Sequence, residues 1–333
     1  MKKLRSGRIL LGVKLAIGFG LLGILLLRDD AWREVGSLAG QLDVPYLVPL
    51  LVITIAILWI SCVKWQLFLR EGGSRVSIGS LIRLYLIGFF FNNFFVGSFG
   101  GDLARSYLLG RDINAQGRAF ATVFLERLSG FIAMVSLAAI AYLITPSLQA
   151  DPIVSWSVSV MLLGTVVLSL LIAQPRLFRS LARPLARYSL ASRVLDRLDS
   201  FRQHVAFLFR RPKLMAKAML YSYAFYGMAA LAVYIAGLVI GVRCDLQTLF
   251  VISPIVMLIA AIPITPNGLG IWEWGWSAYL VTAGATIEQG LAIALLFRIR
   301  DIFIAGFGGL LFLIRRKQDA ALDVNQVAEP VQV

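Results

Sequence analysis

The sequence is short of the side chains that do most enzyme chemistry. Its 333 residues include one histidine, His204, and two cysteines, Cys62 and Cys244. One imidazole and two distant thiols do not make a zinc or haem site, and they leave no histidine-based triad. No disulfide framework is expected, because the topology below puts the two cysteines on opposite sides of a membrane. No GxxxxGK[ST] run occurs, which excludes an ATP-driven pump within this chain. No metal, cofactor or enzyme activity is therefore expected. Charge is scarce as well, at 15% of residues against 59% hydrophobic, whereas a soluble domain is nearer a quarter charged. Acids are the scarcer sign, 18 against 32 Lys and Arg, for a net charge of +14. Such an excess of base can signal nucleic acid. Here the basic residues lie at the ends and between the apolar runs, where they set topology and meet anionic lipid. No nucleic-acid partner is expected.

What is present is a series of long apolar runs, which predicts an all-α, polytopic integral membrane protein. About six crossings are expected, at 9–27, 46–63, 119–144, 154–173, 219–240 and 289–314. The first run follows Lys2, Lys3, Arg5 and Arg8 with no cleavage signal after it, so it reads as an uncleaved helix. Lys64, Arg70 and Arg75 mark a return to the cytoplasmic side. The loop 174–218 carries eleven Lys or Arg, so the positive-inside bias keeps it cytoplasmic. Within it Arg176, Arg179, Arg183 and Arg187 share one helical face, as in an amphipathic helix on the inner leaflet. The transmembrane domain is expected over 1–317, with a disordered cytoplasmic tail at 318–333. Both termini would be cytoplasmic, in a bacterial inner membrane.

Two further runs are broken. The first, 86–102, is interrupted by Asn92, Asn93, Gly97, Gly100 and Gly101. The second, within 248–285, is broken by Pro263, Thr265, Pro266, Asn267, Gly268 and Gly270. Broken backbone at membrane depth is tolerated only where it is buried or lines a cavity. Two breaks in corresponding halves point to a transporter-type binding site. Each is expected to be a re-entrant pair of half-helices. The breaks align at a constant offset of 171 residues, with Gly97 on Gly268, Asp102 on Glu273 and Arg127 on Arg298. Three crossings separate the halves, around 80–144 and 248–314, so the copies would be inverted.

The polar residues near the breaks each have two readings. Asp102 and Glu273 either cap half-helices or act as intramembrane coupling acids; Glu126 and Asp301 join that set. Arg105, Arg127, Arg298 and Arg300 either pair with the chain's own acids or cradle a phosphate. Asn93, Thr265 and Asn267 either form turns or contact a head group, as does Asn92. Trp272, Trp274 and Trp276 are either interfacial anchors or a sugar-stacking surface.

The segments NNFFVGSFGGDLAR and IPITPNGLGIWEWGW, with the FLERL and LLFRIRD helices, resemble the membrane domain of the lysylphosphatidylglycerol synthase family, also called flippase-like. The likeness spans roughly 5–316. Where family members carry a Pro-Gly turn before Gly-Glu in the first break, Val96-Gly97 and Asp102 stand here. The resemblance implies a lipid translocator working on an anionic phospholipid or polyprenyl-phosphate head group by alternating access, through rocking of the two halves. The aminoacyltransferase domain of the synthases is not in this sequence, so synthesis is not expected. A scaffold for lipid- or glycan-synthesis enzymes, or a lipid-modifying enzyme, is the alternative.

Overall fold

Long apolar segments with few breakers satisfy their backbone in lipid only as helices, and helices are what form. The computed structural model describes residues 2–27, 31–94, 100–174, 176, 180, 211–262 and 264–328. In order these give α1 (Lys2–Leu27), α2 (Ala31–Gly40), α3 (Leu47–Glu71), α4 (Ile78–Phe94), α5 (Gly100–Asp112) and α6 (Gln116–Ile144). A single turn, α7 (Pro146–Gln149), leads to α8 (Pro152–Ala173), then α9 (Pro212–Val239) and α10 (Leu246–Ala261). Last come α11 (Ile271–Tyr279), its 3₁₀ extension Leu280–Ala283, and α12 (Ile287–Ala328). Gly97, Pro263, His204 and most of the basic loop lie outside the described residues; 212–218 is already helix, the start of α9.

Four described segments are long and apolar enough to cross a membrane: Val44–Glu71, Gln116–Ile144, Pro152–Leu171 and Pro212–Val239. Gly12–Leu27 and Leu246–Ala261 are apolar but shorter. α12 is long enough, but Arg298, Arg300 and Asp301 interrupt its apolar character. Both cysteines are free and buried.

Three expectations are corrected. Asn92 and Asn93 do not interrupt the helix; they form the last turn of α4, because an amide side chain there can serve the neighbouring helix. Gly100 and Gly101 are not the break either, since they open α5. A Cβ on Gly101 would overlap the Gly88 carbonyl, so glycine is what lets α5 lie on α4. The third concerns the tail, where α12 continues through 318–328 as helix.

The two broken runs each fold into a helix-break-helix hairpin. α4 packs on α5, and α10 on α11. In the second hairpin the open ends are tied by the Asp245 N–H donating to the Ala283 carbonyl at 3.0 Å. Asp245 also caps α10, accepting from the Thr248 N–H at 2.8 Å and its hydroxyl at 2.5 Å. Those bonds hold the carboxyl below its ordinary range.

Each hairpin then packs on a long helix, α5 on α6 and α11 on α12. The halves clasp one another reciprocally: α12 lies on α4, and α6 on α10. α3 and α9, which precede the two halves, also pack together. At the α4–α12 contact a Cβ on Gly308 would overlap the Leu86 carbonyl. Gly308→Leu is therefore expected to force these helices apart. Overpacking of this kind costs about 1–3 kcal/mol or more, read as a lower melting temperature of the detergent-purified protein.

Candidate functional site

In the first half, Asp102 occupies the first turn of α5. Its carboxylate does not serve as the observed cap there, because the Gly101 N–H goes to Asn92 Oδ1 at 2.6 Å. Asp102 Oδ2 instead accepts from Arg127 Nε at 2.7 Å, and Oδ1 accepts from Arg127 Nη2 at 2.8 Å and Arg105 Nε at 3.0 Å. A forked pair of this geometry is the strong form of arginine–carboxylate contact. Arg127 keeps 52% of its side chain exposed.

Arg105 is enclosed, with 1% of its side chain exposed. Its guanidinium lies 4.7 Å from the Trp65 ring and 4.2 Å from the Tyr85 ring. Nη2 donates to Glu126 Oε2 at 2.7 Å, and the Tyr85 hydroxyl donates to Glu126 Oε1 at 2.5 Å. Lys64 completes the group. Its amine donates to the Glu126 carbonyl at 3.1 Å and to Ser222 Oγ at 3.2 Å, and lies 3.9 Å from Glu126 Oε1. Arg105 is thus a positioning residue enclosed by the protein, with its Nη1 buried and unpartnered among the described residues.

In the second half, Glu273 is fully buried at the start of α11. Here capping and pairing coexist. Oε2 accepts the Gly270 N–H at 2.7 Å and Oε1 accepts Arg298 Nε at 2.7 Å. The turn before α11 is left-handed at Asn267, Gly268 and Gly270, with φ of 48°, 63° and 79°. At Gly270 even a Cβ is excluded, since it would sit 2.5 Å from the Gly18 carbonyl of α1. That turn aims the Asn267 carbonyl at Arg298 Nη1, 3.0 Å away. Arg298 Nη2 and Thr265 Oγ1 are buried with no partner among the described residues.

Met257, Ala260, Asn267, Trp272, Arg298 and Asp301 line a cavity of about 130 Å³. Arg300 pairs with Asp301 at 2.8 Å and stacks over Phe297 at 4.6 Å, so it is not a free ligand. Trp272 packs edge-on to Trp276 and Phe297, with ring centroids 5.5 and 6.5 Å away. The tryptophans are therefore not one interfacial cluster: Trp276 is fully buried, while Trp274 is 54% exposed.

The two halves meet at their breaks. Asn267 Nδ2 donates to Asn93 Oδ1 at 3.1 Å, and Asn93 Nδ2 donates to the Phe89 carbonyl at 3.0 Å. Hydrogen bonds and short helical steps thus run from Arg298 through Asn267 and Asn93 to Asn92, Gly101, Asp102 and Arg127.

The acid–arginine pairing, 25 residues apart in each half, was visible in the sequence. The buried network behind the first pair was not. At the 171-residue offset Arg105 falls on Trp276 and Glu126 on Phe297, so an ionic interior faces an aromatic one. Lys64 was missed because a lysine after an apolar run reads as a membrane-surface marker. The only signal against that reading was that no helix-stopping residue follows before Gly72. Among the described residues no three His, Cys, Asp or Glu side chains group as a metal site requires.

Helix-break-helix hairpins, clasped in reciprocal fashion and each carrying an acid–arginine pair, define a polytopic α-helical membrane protein with an internally repeated polar centre. Residues 9–309 match the family described as Lysylphosphatidylglycerol synthase TM region, and the chain belongs to it. The family resemblance read from the two broken segments is thereby borne out. The chain is 26% identical over 323 residues to UPF0104 membrane protein PH1989 of Pyrococcus horikoshii, covering 90% of this chain and 96% of the relative. It is 28% identical over 224 residues to UPF0104 membrane protein MJ1078 of Methanocaldococcus jannaschii, covering 64% of this chain and 89% of the relative.

Proposed function

We propose that the chain is a lipid translocator that carries a phosphate-bearing head group across the cell's inner membrane, with Arg298 and Arg127 as its phosphate ligands. One observation carries this reading. Arg298 lines the cavity of about 130 Å³ and holds a buried N–H donor, Nη2, that nothing among the described residues satisfies. A buried unmet donor of a charged group is expensive, and a phosphate oxygen is the partner that guanidinium geometry suits best. Asn267 adds a neutral donor on the same cavity wall, and Trp272 adds an apolar face.

In this reading both hairpins are re-entrant and enter from opposite faces, with both termini cytoplasmic. The head group passes from one arginine to the other along the asparagine bridge, while the acyl chains stay in lipid. Asp102 and Glu273 hold the arginines in place. Arg105 and Glu126 hold Asp102 and Arg127 in turn.

Reconstitution tests the reading. Purified protein in liposomes containing fluorescently labelled phosphatidylglycerol or polyprenyl phosphate is expected to expose inner-leaflet label to an added quencher faster than empty liposomes. Rates equal to those of empty liposomes for both lipids would remove the translocator. A new chemical species in the lipid extract would put an enzyme in its place.

A further inference from the structure

The first-half network has an odd charge. Among the described residues Lys64, Arg105 and Arg127 face two carboxylates, Asp102 and Glu126. Lys64 Nζ is closed in by Glu126 and Ser222, and the charges acting on it are those of Glu126, Arg127 and Arg105. From α4 the Tyr85 hydroxyl reaches the same carboxylate, and from α5 Arg105 and Asp102 complete the circuit. From α9 the Tyr226 hydroxyl approaches. A Cβ built on Gly130 would lie 3.4 Å from both that oxygen and Lys64 Nζ.

Of these groups, the guanidiniums do not deprotonate. Both carboxylates are held by arginine N–H groups, so protonating either would break an ion pair. An amine can lose its proton and keep donating to the Glu126 carbonyl and Ser222. An unbalanced charge buried in a low-dielectric interior costs several kcal/mol. The balanced states are therefore two: neutral Lys64 with the site empty, or protonated Lys64 with one monoanion on the exposed side of Arg127.

We infer that Lys64 is a proton-binding site linked to anion binding at Arg127, so that one proton enters with each phosphate monoanion. The inference rests on the reading of Arg127 as a phosphate ligand. The Lys64 amine takes a proton from solvent to become ammonium, and releases it when the phosphodiester leaves. Translocation of an anionic lipid would then be electroneutral and driven by a proton gradient.

The test is calorimetric titration of the full chain in detergent with short-chain phosphatidylglycerol, in buffers of different ionisation heat. Above the amine's titration, uptake of one proton per lipid is expected, with affinity falling about tenfold per pH unit, the slope of one linked proton. Lys64→Arg should bind with no uptake and no such slope. Binding by the wild type without proton uptake from about pH 6 to about pH 11, a span covering ordinary and lowered amine values, would overturn the inference and leave the translocator standing. Undiminished uptake in Lys64→Arg would also overturn it. Absence of lipid binding in the wild type would overturn both. The wild-type measurement decides the matter even if the variant does not fold.

Discussion

Glu126→Ala is expected to destabilise the protein by about 3–5 kcal/mol, the cost of leaving buried partners of an ion pair uncompensated. Glu126 accepts from Arg105 at 2.7 Å and from Tyr85 at 2.5 Å, and Lys64 lies 3.9 Å from it. Its removal takes from Arg105, with 1% of its side chain exposed, one of its two carboxylate partners, and leaves the Tyr85 hydroxyl without its acceptor. The double substitution Arg105→Leu/Glu126→Leu should cost less than the single one, because neither partner is then left charged without the other. The second half already shows that this interior can be apolar, with Trp276 and Phe297 at the matching positions, both buried. Melting temperatures of the purified variants, with a denaturant series on the same samples, measure the comparison. A double variant less stable than Glu126→Ala would show that the network has no apolar substitute.

Arg298→Lys is expected to leave the fold close to wild type and to lower lipid translocation by roughly tenfold to a hundredfold. An ammonium keeps the charge that Glu273 needs. It cannot serve Glu273 Oε1 and the Asn267 carbonyl in the forked geometry of Nε and Nη1 and still offer a third donor. The lost donor to phosphate is a charge-assisted hydrogen bond, about 1.5–3 kcal/mol, and each 1.4 kcal/mol is about a factor of ten. Initial rates in the liposome assay, set against the melting temperature, separate this from misfolding. Unchanged rates would detach Arg298 from the transported group and confine it to holding Glu273.

Several of these features could be read from the residues alone, for identifiable reasons. Asp102 with Arg127, and Glu273 with Arg298, stood out because an ionisable pair in an apolar run is costly, and the same spacing occurred twice. The helical class followed from the length of the apolar runs. The breaks were misplaced by a turn in the first half, since asparagine is as much at home in a helix's last turn as beyond it. What Asn92 does, capping α5 from α4, depends on tertiary contact that no local pattern encodes. The roles of Arg105 and Lys64 were hidden for the same reason. A basic residue near a helix end looks alike whether it meets water or a carboxylate on another helix. The cavity beside Arg298 depends on how α10, α11 and α12 converge, and pairwise spacing is silent on that.

The way α12 grips α4 while α6 grips α10 restricts how the molecule can work. A hinge between the halves would have to undo both grips in the same stroke, prying Gly308 of α12 from the Leu86 carbonyl of α4 at one of them. α5 and α11 are shorter, bear the acids, and are held at one end by a turn. Arg127 and Arg298 ride on α6 and α12, the gripping helices, so sliding those two pistons inside a stationary frame would shift the acids against fixed arginines and change how firmly each arginine is held.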